Sequence, residues 1–344
     1  QLIDCAQPPG FIDDITPDDW GNKVLSRLYD FGHTKTLTLT EILNVGGLSN
    51  VGSLSVIPFH GEHIPYFHYG CDIKDLNALE RTATAVDTNE LTQENIEQYK
   101  LGMLGRGSSV GGARPKVLIH DSQKKYIVKF AKEKDDYDNA IVEKACLDSI
   151  LAGGFRASDS KIIQVNNKNA LRVERFDTTD NGRLFQATFN ALLKDKNAQQ
   201  DLNYSSYDAF VKDILVELSD DPKQDYKQML AHMLFNGLFK NTDDHLRNFS
   251  MQTTINKGWL STPIYDVVPM LTYGVYHQTQ FNGLDILPLP SEAHQYTKHF
   301  RLTKKDINDV VERVEHGFNL FPGLLEENNI SETDLNKLQK HLKF

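Results

Sequence analysis

The stretch Phe239-Lys240-Asn241-Thr242-Asp243-Asp244-His245-Leu246-Arg247-Asn248-Phe249-Ser250 gathers two acids, a histidine and two asparagines between apolar residues. Such groups are expensive to bury unless they are ligated or paired. Eighteen residues after Asn248, a single carboxylate, Asp266, interrupts the apolar run Thr262-Pro263-Ile264-Tyr265-Asp266-Val267-Val268. An Asp that orients or deprotonates a hydroxyl, an Asn five residues on and a second Asp after a hairpin are the parts of a phosphoryl-transfer site. In such a site the Asn and the later Asp hold Mg²⁺ on the phosphates. Asp243 is then the candidate base, and Asn248 and Asp266 are the candidate metal ligands. The competing reading is an Asp/Asn-rich turn that caps the next element.

A second constellation is Leu104-Gly105-Arg106-Gly107-Ser108-Ser109-Val110-Gly111-Gly112-Ala113-Arg114-Pro115-Lys116. Glycines let backbone N–H groups close around phosphates without Cβ clashes, although a Gly/Ser linker has the same composition. The spacing is not that of a Walker A loop. Tyr126-Ile127-Val128-Lys129-Phe130 follows. Strand alternation puts Tyr126, Val128 and Phe130 on one face and Ile127 with Lys129 on the other, where Lys129 can grip phosphates and Glu143 on the next helix can pair with it. Taken singly, the two are a snorkelling Lys and a solvated Glu. Arg114 and Lys116 add local cations beside the glycines. At Arg172-Val173-Glu174-Arg175-Phe176-Asp177, Glu174 and Phe176 are candidates for the adenine end of such a site; a surface strand end reads the same way. His60, His63 and His68 lack metal-ligand spacing and read as surface or loop residues.

These groups need elements to position them. Pro17-Asp18-Asp19 opens a helix carrying Trp20, Val24, Leu25 and Leu28. Residues 37–60 read as Gly-containing turns and short apolar runs, with Asn44–Ser53 a loop. Leu76, Leu79 and Ala83 recur at helical spacing. Pro115–Ile119 and Tyr126–Phe130, joined by a polar turn, form a hairpin pattern. A helix over Asp138–Leu151 closes at Gly153 and Gly154, and Leu171–Phe176 is a short strand. From about residue 185 helices dominate, Lys223–Lys240 being a buried one. Asn282–Pro290 is a loop, and the C-terminus from Lys304 is helical. A strand-containing lobe over 1–178 and a mostly helical lobe over 179–344 follow, an α+β arrangement.

The chain has 344 residues, 37 Lys plus Arg and 47 Asp plus Glu, for a net charge of −10. That excess excludes a broad basic face for nucleic acid or membranes, yet leaves room for the few cations that ATP needs. No run approaches a bilayer span. Three scattered cysteines argue against a disulfide framework and for a reducing, cytoplasmic setting. The chain begins with Gln1, so either residues were removed or the true start lies elsewhere.

With these residues in hand, the chain resembles the HipA family of bacterial toxin kinases over most of its length. The resemblance rests on Pro9-Gly10-Phe11-Ile12-Asp13-Asp14-Ile15-Thr16-Pro17-Asp18-Asp19-Trp20-Gly21, on the glycine motif Asn44–Leu54, on Ser108–Lys116 and on Asn241–Asn248. It implies a two-lobed protein-kinase-like fold and an ATP- and Mg²⁺-dependent serine/threonine kinase with Asp243 as base. Asn248 and Asp266 would hold Mg²⁺, Lys129 the phosphates, the loop residues Ser109, Val110, Gly111 and Gly112 the nucleotide, and Glu174 and Phe176 the adenine. It further implies autophosphorylation at Ser109, with Ser108 the second candidate, which ejects the loop and stops ATP binding.

The family's precedent for a substrate is an aminoacyl-tRNA synthetase, with translation arrest as the outcome. Its partner is a HipB-like DNA-binding antitoxin, so DNA arrives through that partner. Full-length members carry a small β-rich subdomain ahead of the Pro-Gly-Phe segment. Its absence here is similar to shorter, HipT-like members, where a separate small protein supplies it; a lost N-terminus is the alternative. Two rivals stand beside the kinase: a catalytically degenerate scaffold in an antitoxin–operator complex, and a metal-dependent hydrolase using Asp243, Asp244, His245 and Asp266.

Overall fold

The computed structural model describes residues 8–17, 19–28, 38–46, 52–54, 71–90, 114–121, 124–180, 182–200, 205–254, 257–272 and 274–344. Two compact units make up the chain: residues 1–135 with 160–186, and residues 136–159 with 187–344.

In the first unit, helices α1 (Gly10–Ile15), α2 (Asp19–Leu28), α3 (Leu39–Gly46) and α4 (Leu76–Thr88) accompany a five-stranded sheet. Its strands are β1 (Cys71–Asp72), β2 (Lys116–His120), β3 (Lys125–Lys129), β4 (Ser160–Val165) and β5 (Lys168–Glu174), in the order β1-β2-β3-β5-β4. The expected hairpin is β2–β3, antiparallel, with Val117 opposite Val128 and Lys116 opposite Lys129. Alternation along β3 buries Tyr126, Val128 and Phe130 against Trp20 and Val24 of α2 and Leu79, Ala83 and Val86 of α4. The Trp20 indole N–H donates to the Lys116 carbonyl at 3.0 Å, which ties α2 to the start of β2. The larger departures from the sequence expectation are α3 and β4. α3 occupies part of a region read as turns and takes in the start of the expected Asn44–Ser53 loop, and β4 is a strand the residue pattern did not reveal. A small ribbon of β6 (Thr178–Thr179) and β7 (Gly182–Arg183) closes the unit.

The second unit is mostly helical. It contains α5 (Asn139–Ala152), α6 (Phe189–Gln200), α7 (Tyr207–Ala209, Phe210–Leu215 and Val216–Leu218, with a π-helical middle), α8 (Pro222–Phe239), α9 (Lys304–Glu327) and α10 (Glu332–Leu342). Strands β8 (Gln186–Thr188), β9 (Ser250–Thr254) and β10 (Lys257–Ser261) form a sheet in the order β10-β9-β8. Asp138 caps α5 by accepting the Ile141 N–H at 3.1 Å, and Gly153 follows the helix as expected. α9 packs across α5 at Gly317, where any Cβ would collide with the Ser149 carbonyl. Cys71 in the first unit and Cys146 in the second are buried and form no disulfide.

After a polar first part, α8 is mostly apolar from Met229 to Phe239 and is buried there on nearly every side, in the core of this unit. Within it, the His232 ring packs against Phe249, tilted at 43° with 4.6 Å between ring centroids. Burial pushes its imidazole down to about 3 from the ordinary 6.5, so the folded state keeps it neutral where the unfolded chain protonates it. Folding stability carried by this group is intact above the unfolded value and falls as pH drops from there toward the folded one. His232→Gln is therefore expected to flatten the acid limb. Between about pH 7.5 and pH 4.5, urea unfolding of the variant should lose roughly 3 kcal/mol less than wild type.

Candidate functional site

The catalytic-loop candidates are hung from the end of α8. Lys240 adopts a left-handed φ of 50°, which stops the helix and redirects the chain. The Asn241 N–H donates to the Asn236 carbonyl at 2.9 Å, and Asn241 Nδ2 donates to Asn236 Oδ1 at 3.0 Å. At the far end, Asn248 Nδ2 donates to the Asp243 carbonyl at 2.8 Å, closing the loop on itself. Asp243 and Asn248 are thus brought together. Asn241 Oδ1 and His245 Nδ1 are buried with no hydrogen-bond partner among the described residues.

Asp266 follows the β9–β10 hairpin and sits at φ 58°. A non-glycine residue in that region is held there by its surroundings. Its neighbour Tyr265 supplies the hold: the phenol donates to the Arg247 carbonyl at 2.9 Å and shares a 2.7 Å hydrogen bond with Ser250 Oγ. The Asp243 carboxyl keeps an exposed edge, yet partial burial raises it above the usual carboxylate range. The charges of Asp266 and Asp244 push in the same direction, while His245 and the Gln278 amide oppose them.

A Mg²⁺ ion takes oxygen donors and needs only one or two carboxylates beside substrate phosphates and water. The Asp266 carboxylate and the Asn248 amide fit that requirement, because Asn248 commits its nitrogen to the Asp243 carbonyl and so turns its oxygen elsewhere. Among the described residues no group of three or more His, Cys, Asp or Glu could hold a metal ion on its own.

Asp244, which the hydrolase reading needs, is fully buried and engaged on every side. Its Oδ1 accepts the N–H groups of Gln278 at 2.9 Å and Thr279 at 3.2 Å. Its Oδ2 pairs with His277 Nδ1 at 3.0 Å and accepts the Tyr207 hydroxyl at 3.3 Å. Asn236 Nδ2 in turn donates to the Tyr207 oxygen at 2.9 Å. Sequence reading missed Tyr207, Asn236, His277, Gln278 and Thr279. The segment around 276–280 is polar throughout and offers no apolar alternation from which an extended strip could be recognised.

In the first unit, Lys129 ends β3, half-buried, with Lys116 directly across the strand pair and therefore on the same face. Arg114 is bound to Asp135 by two bonds of 2.7 Å and to the Phe130 carbonyl at 3.2 Å, so its guanidinium braces the start of β2. Glu174 ends β5 and pairs with Lys124 at 2.6 Å. Phe176 lies just beyond, half-buried. It is flanked by a buried Arg175–Asp177 ion pair of 2.7 Å. Asp177 also accepts the Gly52 N–H at 2.7 Å; against the burial penalty, Arg175 holds its carboxyl below the usual range. Glu143 lies on α5, in the second unit. Ser108, Ser109, Val110, Gly111 and Gly112, like His60, His63 and His68, fall outside the described residues.

Residues 108–319 match the family model for the HipA-like C-terminal domain. Among solved structures, a chain of the Shewanella oneidensis MR-1 toxin–antitoxin complex of HipA, HipB and operator DNA aligns with a TM-score of 0.67 at 16% identity. The alignment covers 97% of this chain and 82% of that one. The Helicobacter pylori proinflammatory kinase CtkA aligns with a TM-score of 0.48 at 16% identity, over 66% of this chain and 88% of that one. No curated protein matches the sequence. The first likeness shows the fold: α+β and two-lobed, with a strand-containing first part and a mostly helical second.

Proposed function

The chain belongs to the HipA family, and from that premise we propose that it is an ATP- and Mg²⁺-dependent serine/threonine protein kinase, the toxin of a bacterial toxin–antitoxin system. The observation that carries the reading is the closed loop in which Asn248 holds the Asp243 backbone, with Asp266 near enough to raise the Asp243 carboxyl. Asp243 orients the hydroxyl of a substrate Ser or Thr and takes its proton as the oxygen attacks the γ-phosphorus in line. The bond from that phosphorus to the bridging oxygen breaks, and ADP leaves. Asn248 and Asp266 would hold Mg²⁺, which, when bound, offsets negative charge on the phosphate oxygens. Lys129 neutralises the phosphates from β3, the backbone of Val110, Gly111 and Gly112 cradles them, and Glu174 and Phe176 meet the adenine.

The acceptor is a protein, with an aminoacyl-tRNA synthetase the family precedent, and Ser109 or Ser108 is the autophosphorylated residue. A HipB-like antitoxin, and with it DNA, is the expected partner; the Shewanella chain is recorded together with HipB and operator DNA. No helix among the described residues is long and apolar enough to cross a membrane, and a cytoplasmic site of action goes with the use of ATP. Incubation with Mg·ATP and cell lysate followed by mass spectrometry tests the reading. New phosphate on Ser108 or Ser109 and on a lysate protein is expected. Stabilisation by Mg·ATP without any transfer would instead favour the degenerate scaffold.

A further inference from the structure

Residues 276–280 alternate strictly: Tyr276, Gln278 and Gln280 are exposed, and His277 and Thr279 are buried. A period of two is that of extended backbone, in which neighbouring side chains leave on opposite faces. Here the two faces meet two consecutive aspartates. The inward residues engage Asp244, through His277 Nδ1 at 3.0 Å and through the Thr279 hydroxyl, which donates to the Asp244 carbonyl. The outward residue between them engages Asp243: Gln278 Nε2 donates to Asp243 Oδ1 at 2.7 Å. The strip is held on its other side as well, since the Gln280 N–H donates to the Ser205 carbonyl at 3.0 Å and the Tyr207 N–H to the Gln280 carbonyl at 3.0 Å. Gln278 is therefore an exposed side chain on an immobilised backbone.

We propose that Gln278 is a positioning residue for phosphoryl transfer, its amide fixing one carboxylate oxygen of Asp243 so that the other faces the incoming hydroxyl. The role rests on the kinase reading of Asp243. It assigns Asp244 no part in the chemistry: the buried carboxylate clamps the strip, and the strip aims the amide. A carboxylate free to rotate presents either oxygen at random angles, and misplacement of a reacting group by about 1 Å can slow a reaction on the order of 100-fold.

The test measures ADP release from Mg·ATP by the full chain, with its own hydroxyls and dephosphorylated casein as acceptors. Gln278→Leu, which removes the donor, should lower kcat by roughly 10- to 100-fold while the KM for ATP stays within about twofold. Gln278→Glu, of the same shape without the donor, should fall at least as far. Gln278→Lys restores a donor of similar reach and should recover most of the rate. A merely structural residue would not separate donors from non-donors, so equal rates in all three variants overturn the role. So does a Leu variant whose kcat is unchanged while its KM for casein rises. A wild-type chain that binds Mg·ATP but releases no ADP overturns the kinase reading, and this role with it.

Discussion

Asp243→Asn should lower γ-phosphoryl transfer by about 10²- to 10⁴-fold, the span that a positioned general base contributes, and leave the melting temperature at or slightly above wild type. The two halves of this expectation have one cause. Asparagine keeps the shape of the side chain and an oxygen that accepts from Gln278, and the backbone carbonyl still receives Asn248 Nδ2. What disappears is the negative charge, which is needed to draw the proton from a hydroxyl. That charge is also unwelcome in the folded state, where partial burial and the charges of Asp266 and Asp244 raise the carboxyl. An acid with a raised folded pKa withdraws stability at pH values above its unfolded value, so removing it gives a small gain at neutral pH. Transfer of labelled γ-phosphate and differential scanning fluorimetry read the two effects separately. Undiminished transfer would sink the assignment of Asp243.

Asp244→Ala should do the reverse to the fold. Four donors converge on that buried carboxylate: the N–H groups of Gln278 and Thr279, the Tyr207 hydroxyl and His277 Nδ1. Alanine leaves the three buried donors, on Thr279, Tyr207 and His277, without their acceptor. Breaking a buried, hydrogen-bonded charged group while its partners remain costs about 3–5 kcal/mol. In a unit of this size that is a drop on the order of 10 °C in its transition. Adjacent residues of the same chemical type are thus expected to give opposite phenotypes, a silent stable protein and an unstable one. A wild-type melt for the Ala variant would mean that the network does not hold the loop.

The residues that announced themselves in the sequence were those whose chemistry is costly to leave unexplained. The acid- and amide-rich stretch after an apolar helix, and the lone carboxylate at Asp266, needed no structure to be noticed. The β2–β3 hairpin was legible because its apolar alternation is strong and its turn polar. β4 was not, because Ser160-Lys161-Ile162-Ile163-Gln164-Val165 shows neither clean alternation nor a continuous apolar run. The placement of α5 was hidden for another reason. It lies in sequence between strands of the first unit, yet the helix it packs on, α9, begins at Lys304. Chain order carries no record of such a distant partner. Gln278 was invisible because its role depends on which way an extended backbone faces, and polar residues on both faces give no sign of it. The Gly52 bond to Asp177 spans a similar gap: only the fold reveals why a glycine motif and a strand end belong together.

The division of labour between the two aspartates also bears on how such a chain can diverge. Asp and Asn codons differ at one base, and the site where that exchange is expected to stop the proposed chemistry is the one where the fold is expected not to resist it. An inactive descendant that still folds, still presents its surfaces and still binds its partners therefore lies a single nucleotide change away. The same change one codon later leaves the buried carboxylate's donors facing an amide that can satisfy fewer of them. Selection on folding alone would then preserve Asp244 in lineages without phosphoryl transfer, and the identity of the residue before it would record whether the proposed chemistry is still in use.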